Sequence, residues 1–161
     1  MFCIVLIGRT ASSVVERWGR GAAGEELVGE VLDGLHDDGW FALHDVYLGR
    51  GNIDHVLVGP AGIFTIETKS HRGRLRASAI DARMLKQAYA QAKSVERVTG
   101  FRVVPLLVFS NAYLIPAVTP RNGVVILPAR MLASHLRKRG GTIPPERVDG
   151  VYRRLAPALP E

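Results

Sequence analysis

Cysteine is nearly absent from this chain: Cys3 is the single one among 161 residues. A lone thiol closes no intramolecular disulfide and builds no Cys-based zinc cluster, which fits a reducing compartment, and at this position it is not expected to be catalytic. Long apolar runs are missing as well. No stretch approaches the ~20 consecutive apolar residues that span a bilayer, and Phe2–Ile7 has neither the basic flank nor the length of a secretory signal. The expectation is a soluble cytoplasmic protein with no membrane partner. Aromatic residues make up only 7%, and no motif that reads base edges is recognisable. Any nucleic-acid binding is therefore expected to be backbone-dominated, salt-sensitive and of low sequence preference. Internal repeats and low-complexity tracts are also absent.

What the chain does have is basic charge: a formal +6 and a pI near 10.0. Such an excess favours a polyanionic partner, nucleic acid ahead of an anionic membrane surface. An apolar content of 47% over 161 residues suits one domain with a single core.

The stretch Gly51–Lys69 organises the rest. Two apolar runs, Ile53–Val58 and Ile63–Lys69, flank Gly59-Pro60-Ala61-Gly62, where proline presets φ and the glycines supply permissive positions; the pattern predicts a β-hairpin. A turn centred between Pro60 and Ala61 places Val58 opposite Ile63 and Asp54 opposite Glu67. Alternation then puts Glu67 and Lys69 on one face with Asp54, and Ile66 and Thr68 on the other. His55 points away from Asp54 and is expected to be packed or hydrogen-bonded rather than a metal ligand. Two adjacent carboxylates repel unless a cation sits between them, and either a divalent metal or the Lys69 ammonium would serve. A Mg²⁺-type site of this kind takes one or two carboxylates and completes its shell with water and phosphate oxygens.

Apolar spacing predicts a first helix from about Ala22 to His36, ended by Gly39, and a long second helix over Ala77–Val98, closed by Gly100. Strands are predicted over Trp40–Val46, over Val103–Phe109, buried on both faces and parallel to a neighbour, and over Val124–Leu127. Phe2–Ile7 reads as a short strand or an unstructured leader. Surface helices are predicted over Met131–Arg139 and Arg147–Leu155. This order is that of an α/β sandwich with a mixed sheet. In the basic segment after Lys69, Arg72, Arg74 and Arg76 alternate, so an extended backbone would line their guanidinium groups along one side for phosphate oxygens, although a charged, solvated strand edge would look the same.

The order Asp, short hairpin, Glu-x-Lys resembles the core of the PD-(D/E)xK nuclease superfamily. The wider pattern resembles one of its members, the nuclease-related domain (NERD) family: Gly21-Ala22-Ala23-Gly24-Glu25 opening a helix, Gly51-Asn52-Ile53-Asp54-His55 followed by Gly59-Pro60, Glu67-Thr68-Lys69, and Gln87-Ala88 in a later helix, together spanning Gly21–Phe109. The resemblance implies a restriction-endonuclease-like α/β sandwich, with a central mixed sheet flanked by helices. It also implies a metal-dependent nuclease that hydrolyses phosphodiester bonds of nucleic acid, DNA in the first instance, with Mg²⁺ or Mn²⁺ as cofactor. Asp54 and Glu67 would hold the ion, helped by the Thr68 backbone carbonyl and by Glu25, directly or through water, with Glu26 as the neighbouring alternative. Lys69 would orient or deprotonate the attacking water. Gln87, singled out by the resemblance from Gln91 on the same helix face, would fix water or Lys69. The interval between Lys69 and Gln87 is short for such a protein, which abbreviates the rim of the cleft.

On this reading residues 1–20 form a leader of unassigned structure, 21–139 the nuclease-related domain and 140–161 a helical extension. Two alternatives stand beside it: a catalytically inactive module of nuclease fold that binds nucleic acid or a protein partner through its basic surface, and a surface ion network without metal dependence.

Overall fold

The computed structural model describes residues 5–158, and side chains for residues 19–157. Helix α1 (Val5–Asp33) opens the chain. It starts well before Ala22, so the segment set apart as a leader is helical from Val5 onward; Phe2–Ile4 lie outside the described residues. The glycines expected to open the helix lie within it, where each costs about 1 kcal/mol relative to alanine. Gly24 has a packing reason: a Cβ there would stand 2.7 Å from Ser110 Oγ, so glycine lets α1 lie close to the end of a neighbouring strand. After α1 a short 3₁₀ turn over His36–Asp38 ends at Gly39, whose φ of 82° suits glycine.

Strands β1 (Phe41–Tyr47), β2 (Asn52–Gly59) and β3 (Gly62–Lys69) form an antiparallel meander. The hairpin register is the expected one, with Val58 opposite Ile63, His55 opposite Ile66, and Gly59 and Gly62 closing the turn. Strand β4 (Gly73–Arg76) follows, then helix α2 (Ala82–Thr99) and strands β5 (Val103–Phe109), β6 (Ala112–Ile115), β7 (Thr119–Arg121) and β8 (Val124–Pro128). Helices α3 (Leu132–Arg137) and α4 (Pro145–Leu155) come last. The main sheet is mixed, with six strands in the order β1-β2-β3-β5-β8-β7; β5 is parallel to both its neighbours, as its unbroken apolar run leads one to expect. Strands β4 and β6 pair in parallel as a separate two-stranded ribbon.

Alternation along the strands sends Leu57, Phe64, Ile66 and Leu106 to one face, against Val28 and Leu32 of α1 and Leu136 of α3. Val56, Val58 and Ile63 go to the other, against Ala92 and Val95 of α2 and Val148 and Val151 of α4. The C-terminal helix α4 thus shares the core of the sheet, and its approach is tied to the hairpin: the backbone N–H groups of Thr142 and Ile143 both donate to the Pro60 carbonyl, at 2.7 and 3.0 Å.

Several boundaries differ from the sequence reading for local reasons. Helix α2 begins at Ala82 rather than Ala77, because Asp81 accepts from the Arg83 N–H at 2.8 Å and caps it there, while Ala77–Ala79 makes a 3₁₀ turn. Helix α4 starts at Pro145, in the first turn, where a missing N–H costs nothing. Strands β4 and β7 are short and carry no apolar run, and the four apolar residues of β6 (Ala112–Ile115) run straight into Pro116, so the sequence reading marks none of them. Among the described residues no helix is long and apolar enough to cross a membrane.

Candidate active site

The hairpin register brings the two predicted carboxylates together. Asp54, at the start of β2, accepts a hydrogen bond from the backbone N–H of Thr68 on β3 at 2.7 Å. Glu67, near the end of β3, faces α2 and is only 3% exposed. A carboxylate buried so deeply must be compensated, and three donors do it. Lys69 Nζ donates to Oε1 at 2.5 Å, Gln87 Nε2 to the same oxygen at 2.8 Å, and Gln91 Nε2 to Oε2 at 2.6 Å.

Both glutamines come from one face of α2, as their i, i+4 spacing requires. The two differ in setting: Gln87 is exposed, whereas Gln91 is buried and also reaches the Asn52 carbonyl at 3.3 Å. Gln87, which the resemblance implies would fix water or Lys69, donates to Glu67 itself. Gln91, which the resemblance does not select, is the more deeply placed of the pair. The signal that could have found it is the shared helix face: whatever positions Gln87 at a site also points Gln91 toward it.

The electrostatics of the pair are asymmetric. Asp54 has one backbone donor against burial and the Glu67 charge, with Glu25 adding to the repulsion; burial first and Glu67 second push its carboxyl up to about 7. Glu25, half-buried on α1, is raised in the same way, first by burial, then by Asp45 and Glu67. Nothing in the sequence pattern singles out Asp45. It sits at φ 53° in β1, a conformation rare outside glycine, Asn and Asp.

A raised carboxylate pKa is a stability statement. Asp54 holds its proton more tightly folded than unfolded, so its contribution is fully present below the ordinary value of 3.8 and is lost as pH rises through about 7. Asp54→Asn cannot ionise yet keeps an oxygen for the Thr68 N–H. In EDTA at pH 8 the variant is expected to be more stable than the parent by roughly 1–2 kcal/mol, after discounting for solvent screening at a half-buried group. The difference should shrink as pH falls toward 4, as urea denaturation at each pH would show.

His55 behaves as its strand position predicts. It is buried, its Nδ1 lies 2.8 Å from His44 Nδ1, and His44 Nε2 meets Asp33 Oδ1 at 3.0 Å. Burial, then the His44 charge, lowers its pKa to about 4, so the ring is neutral at ordinary pH. The chain Asp33, His44, His55 ties β1 and β2 to α1 beside the carboxylates.

The donor set fits a divalent cation. An ionised carboxylate offers about four acceptor positions. The three donors on Glu67 leave room for one more partner, and the only bond on Asp54 among the described residues is the one from Thr68. Among those residues no three His, Cys, Asp or Glu side chains are grouped tightly enough to hold an ion by themselves. A metal shell here would need oxygen atoms beyond the two carboxylates.

Two surfaces flank the site. A groove of about 540 Å³ runs beside it, lined by Gln87 and Gln91 together with Arg50, Tyr89 and Arg97. Beyond the end of β3, Arg72, Arg74 and Arg76 are all exposed. Only Arg74 and Arg76 form the expected extended row, along β4; Gly73, at φ 83°, breaks the run after Arg72.

Fold and site together define an α/β protein with a carboxylate–lysine centre built on the hairpin of a mixed sheet. The profile of the nuclease-related domain matches residues 20–115, and the chain belongs to that family. It is 31% identical over 87 residues to an uncharacterized protein of Bacillus anthracis, a match that covers 51% of this chain and 41% of the relative, so it spans less than half of that protein. Among solved structures it is similar to a repair endonuclease from Pyrococcus abyssi, at 16% identity over 70% of this chain and 42% of the other, with a TM-score of 0.36. It is also similar to EndoMS in a complex with double-stranded DNA, at 18% identity over 73% and 40%, with a TM-score of 0.35.

Proposed function

We propose that this domain is a metal-dependent nuclease that hydrolyses phosphodiester bonds of DNA. The observation that carries the reading is the convergence on Glu67: a buried carboxylate opposite a second one, held by Lys69, Gln87 and Gln91, in a chain of the nuclease-related domain family. Asp54 and Glu67 would hold Mg²⁺ or Mn²⁺, with the Thr68 carbonyl and Glu25 contributing directly or through water. When bound, the ion supplies Lewis-acid polarisation of the scissile phosphate.

The chain's own side chains do the rest. Lys69, partly exposed and donating to Glu67 as an ammonium, orients the attacking water and offsets the charge that grows on the phosphate oxygens, or, once it has given up its own proton, helps to deprotonate that water. Gln87 and Gln91 fix the Glu67 carboxylate against rotation, so that its free acceptor position keeps one direction. Arg50 and Arg97 in the groove, and Arg72, Arg74 and Arg76 on the rim, bind backbone phosphates without reading sequence.

The test is cleavage of linear and circular DNA by purified protein with Mg²⁺, Mn²⁺ or EDTA. Cutting that EDTA abolishes supports the reading, and loss of the circular form shows internal attack. Absence of cutting with either metal returns the domain to a nucleic-acid or protein-binding module. Gln91 offers a finer prediction. Gln91→Ala is expected to weaken Mn²⁺ binding or activity by about 10- to 100-fold, as removal of a group that orients a ligand does. Calorimetric titration with Mn²⁺ beside the cleavage assay would measure it.

A further inference from the structure

Strands β3 and β5 leave the main sheet side by side, with Lys69 opposite Phe109, and re-pair a few residues later as the ribbon β4–β6, with Gly73 opposite Ala112. The ribbon therefore continues from the end of the sheet that carries Glu67 and Lys69. Two strands alone are marginal in water, but this pair is anchored, with Leu114 and Ala112 buried in a core cluster beneath it and Leu75 packed against that cluster.

The outer face of the ribbon is the unusual one. Register places Arg74 opposite Tyr113 and Arg76 opposite Ile115, so four exposed side chains share one side. Tyr113 is 56% exposed, and two guanidinium groups stand over its ring: Arg74 at 6.0 Å and Arg130 at 5.1 Å from the centroid. Arg130 is held in place by donating to the Ala112 carbonyl at 3.3 Å. Among the described residues neither arginine is paired with a carboxylate. The ring is exposed and lies beside guanidinium planes, the two kinds of group on which a nucleic-acid base stacks.

We infer that the β4–β6 ribbon is a docking surface for an unpaired nucleotide near the scissile phosphate, with Tyr113 stacking the base and Arg74, Arg76 and Arg130 engaging flanking phosphates. The inference rests on the nuclease reading and gives its substrate a class: DNA with a single-stranded segment. In a duplex the base faces are taken up by stacking within the helix, so phosphates alone would meet the ribbon. An unpaired base offers a free π-face, which aromatic and guanidinium planes both accept.

The experiment is fluorescence anisotropy in EDTA, with the full chain and labelled single-stranded DNA, single-stranded RNA of the same sequence, and blunt duplex DNA. Tyr113→Ala is expected to raise Kd for the single strands by about 5- to 100-fold, the range of one lost base stack, and to leave duplex binding within about twofold. Tyr113→Phe, which keeps the ring, should bind as the parent does. Arg74→Ala should weaken every substrate and flatten the salt dependence. The loss is expected on single-stranded DNA, and a loss confined to RNA overturns the inference. Equal loss on single strands and duplex, or no loss on either, overturns the inference. Because EDTA removes any need for cleavage, that failure is separable from failure of the nuclease reading, which would appear only in the Mg²⁺ and Mn²⁺ assays of the parent.

Discussion

Glu67→Gln is expected to slow metal-dependent cleavage at least about 10³-fold while leaving the fold intact, the scale on which loss of ion or transition-state charge stabilisation is felt. The substitution keeps the shape of the side chain but replaces an anion that accepts three hydrogen bonds with an amide that must donate from one end. Lys69 loses its counter-charge, and one of the two carboxylates that would hold the ion is gone. Lys69→Met separates these effects. It should lose cleavage to a similar degree yet still bind Mn²⁺, since both carboxylates remain and the cationic competitor for Glu67 Oε1 is removed. Cleavage and Mn²⁺ titration of both variants, with circular dichroism to confirm folding, check the pair. Variants that cut like the parent would place the active site elsewhere.

Gly59→Ala is expected to destabilise the domain by about 3 kcal/mol or more, at the upper end of the overpacking range. A Cβ on Gly59 would run into the Trp40 ring at Cε3 and Cδ2, closer than any real Cβ contact. The indole has little room to step aside: Trp40 is 4% exposed and packs 5.8 Å from the Phe64 ring in the core cluster under α1. The backbone is equally constrained, because Gly59 closes the hairpin opposite Gly62 and the adjacent Pro60 carbonyl accepts two bonds from the C-terminal segment. Gly140→Ala is the control: a Cβ there meets nothing within 4 Å, and its effect should stay within about 0.5 kcal/mol. Urea denaturation of the two variants beside the parent measures both.

Much of the centre is legible in one dimension. Hairpin register follows from the turn Gly59-Pro60-Ala61-Gly62 and a side-chain period of two, and these local rules suffice to set Asp54 across from Glu67, with His55 turned away. Strand β5 is equally plain from its apolar run. Helix α1 is less so, because glycines that look like a helix boundary are also what close packing demands, as Gly24 against Ser110 shows. Ribbon β4–β6 leaves no such trace: its strands are short and lie on either side of α2 and β5, so neither can be recognised before the main sheet has brought their starting points together.

The hairpin, its two facing carboxylates and the lysine beside them are set by local sequence, because backbone pairing near a tight turn depends on neighbours only a few residues away. Tertiary structure decided which donors hold Glu67 and what surrounds Tyr113. Gln91 reaches Glu67 only once α2 is laid across the sheet, and Arg130 meets Tyr113 only once β8 has placed it beside β6. Contacts of that kind join residues distant in the chain through packing, and packing is a property of the whole fold that no local pattern encodes.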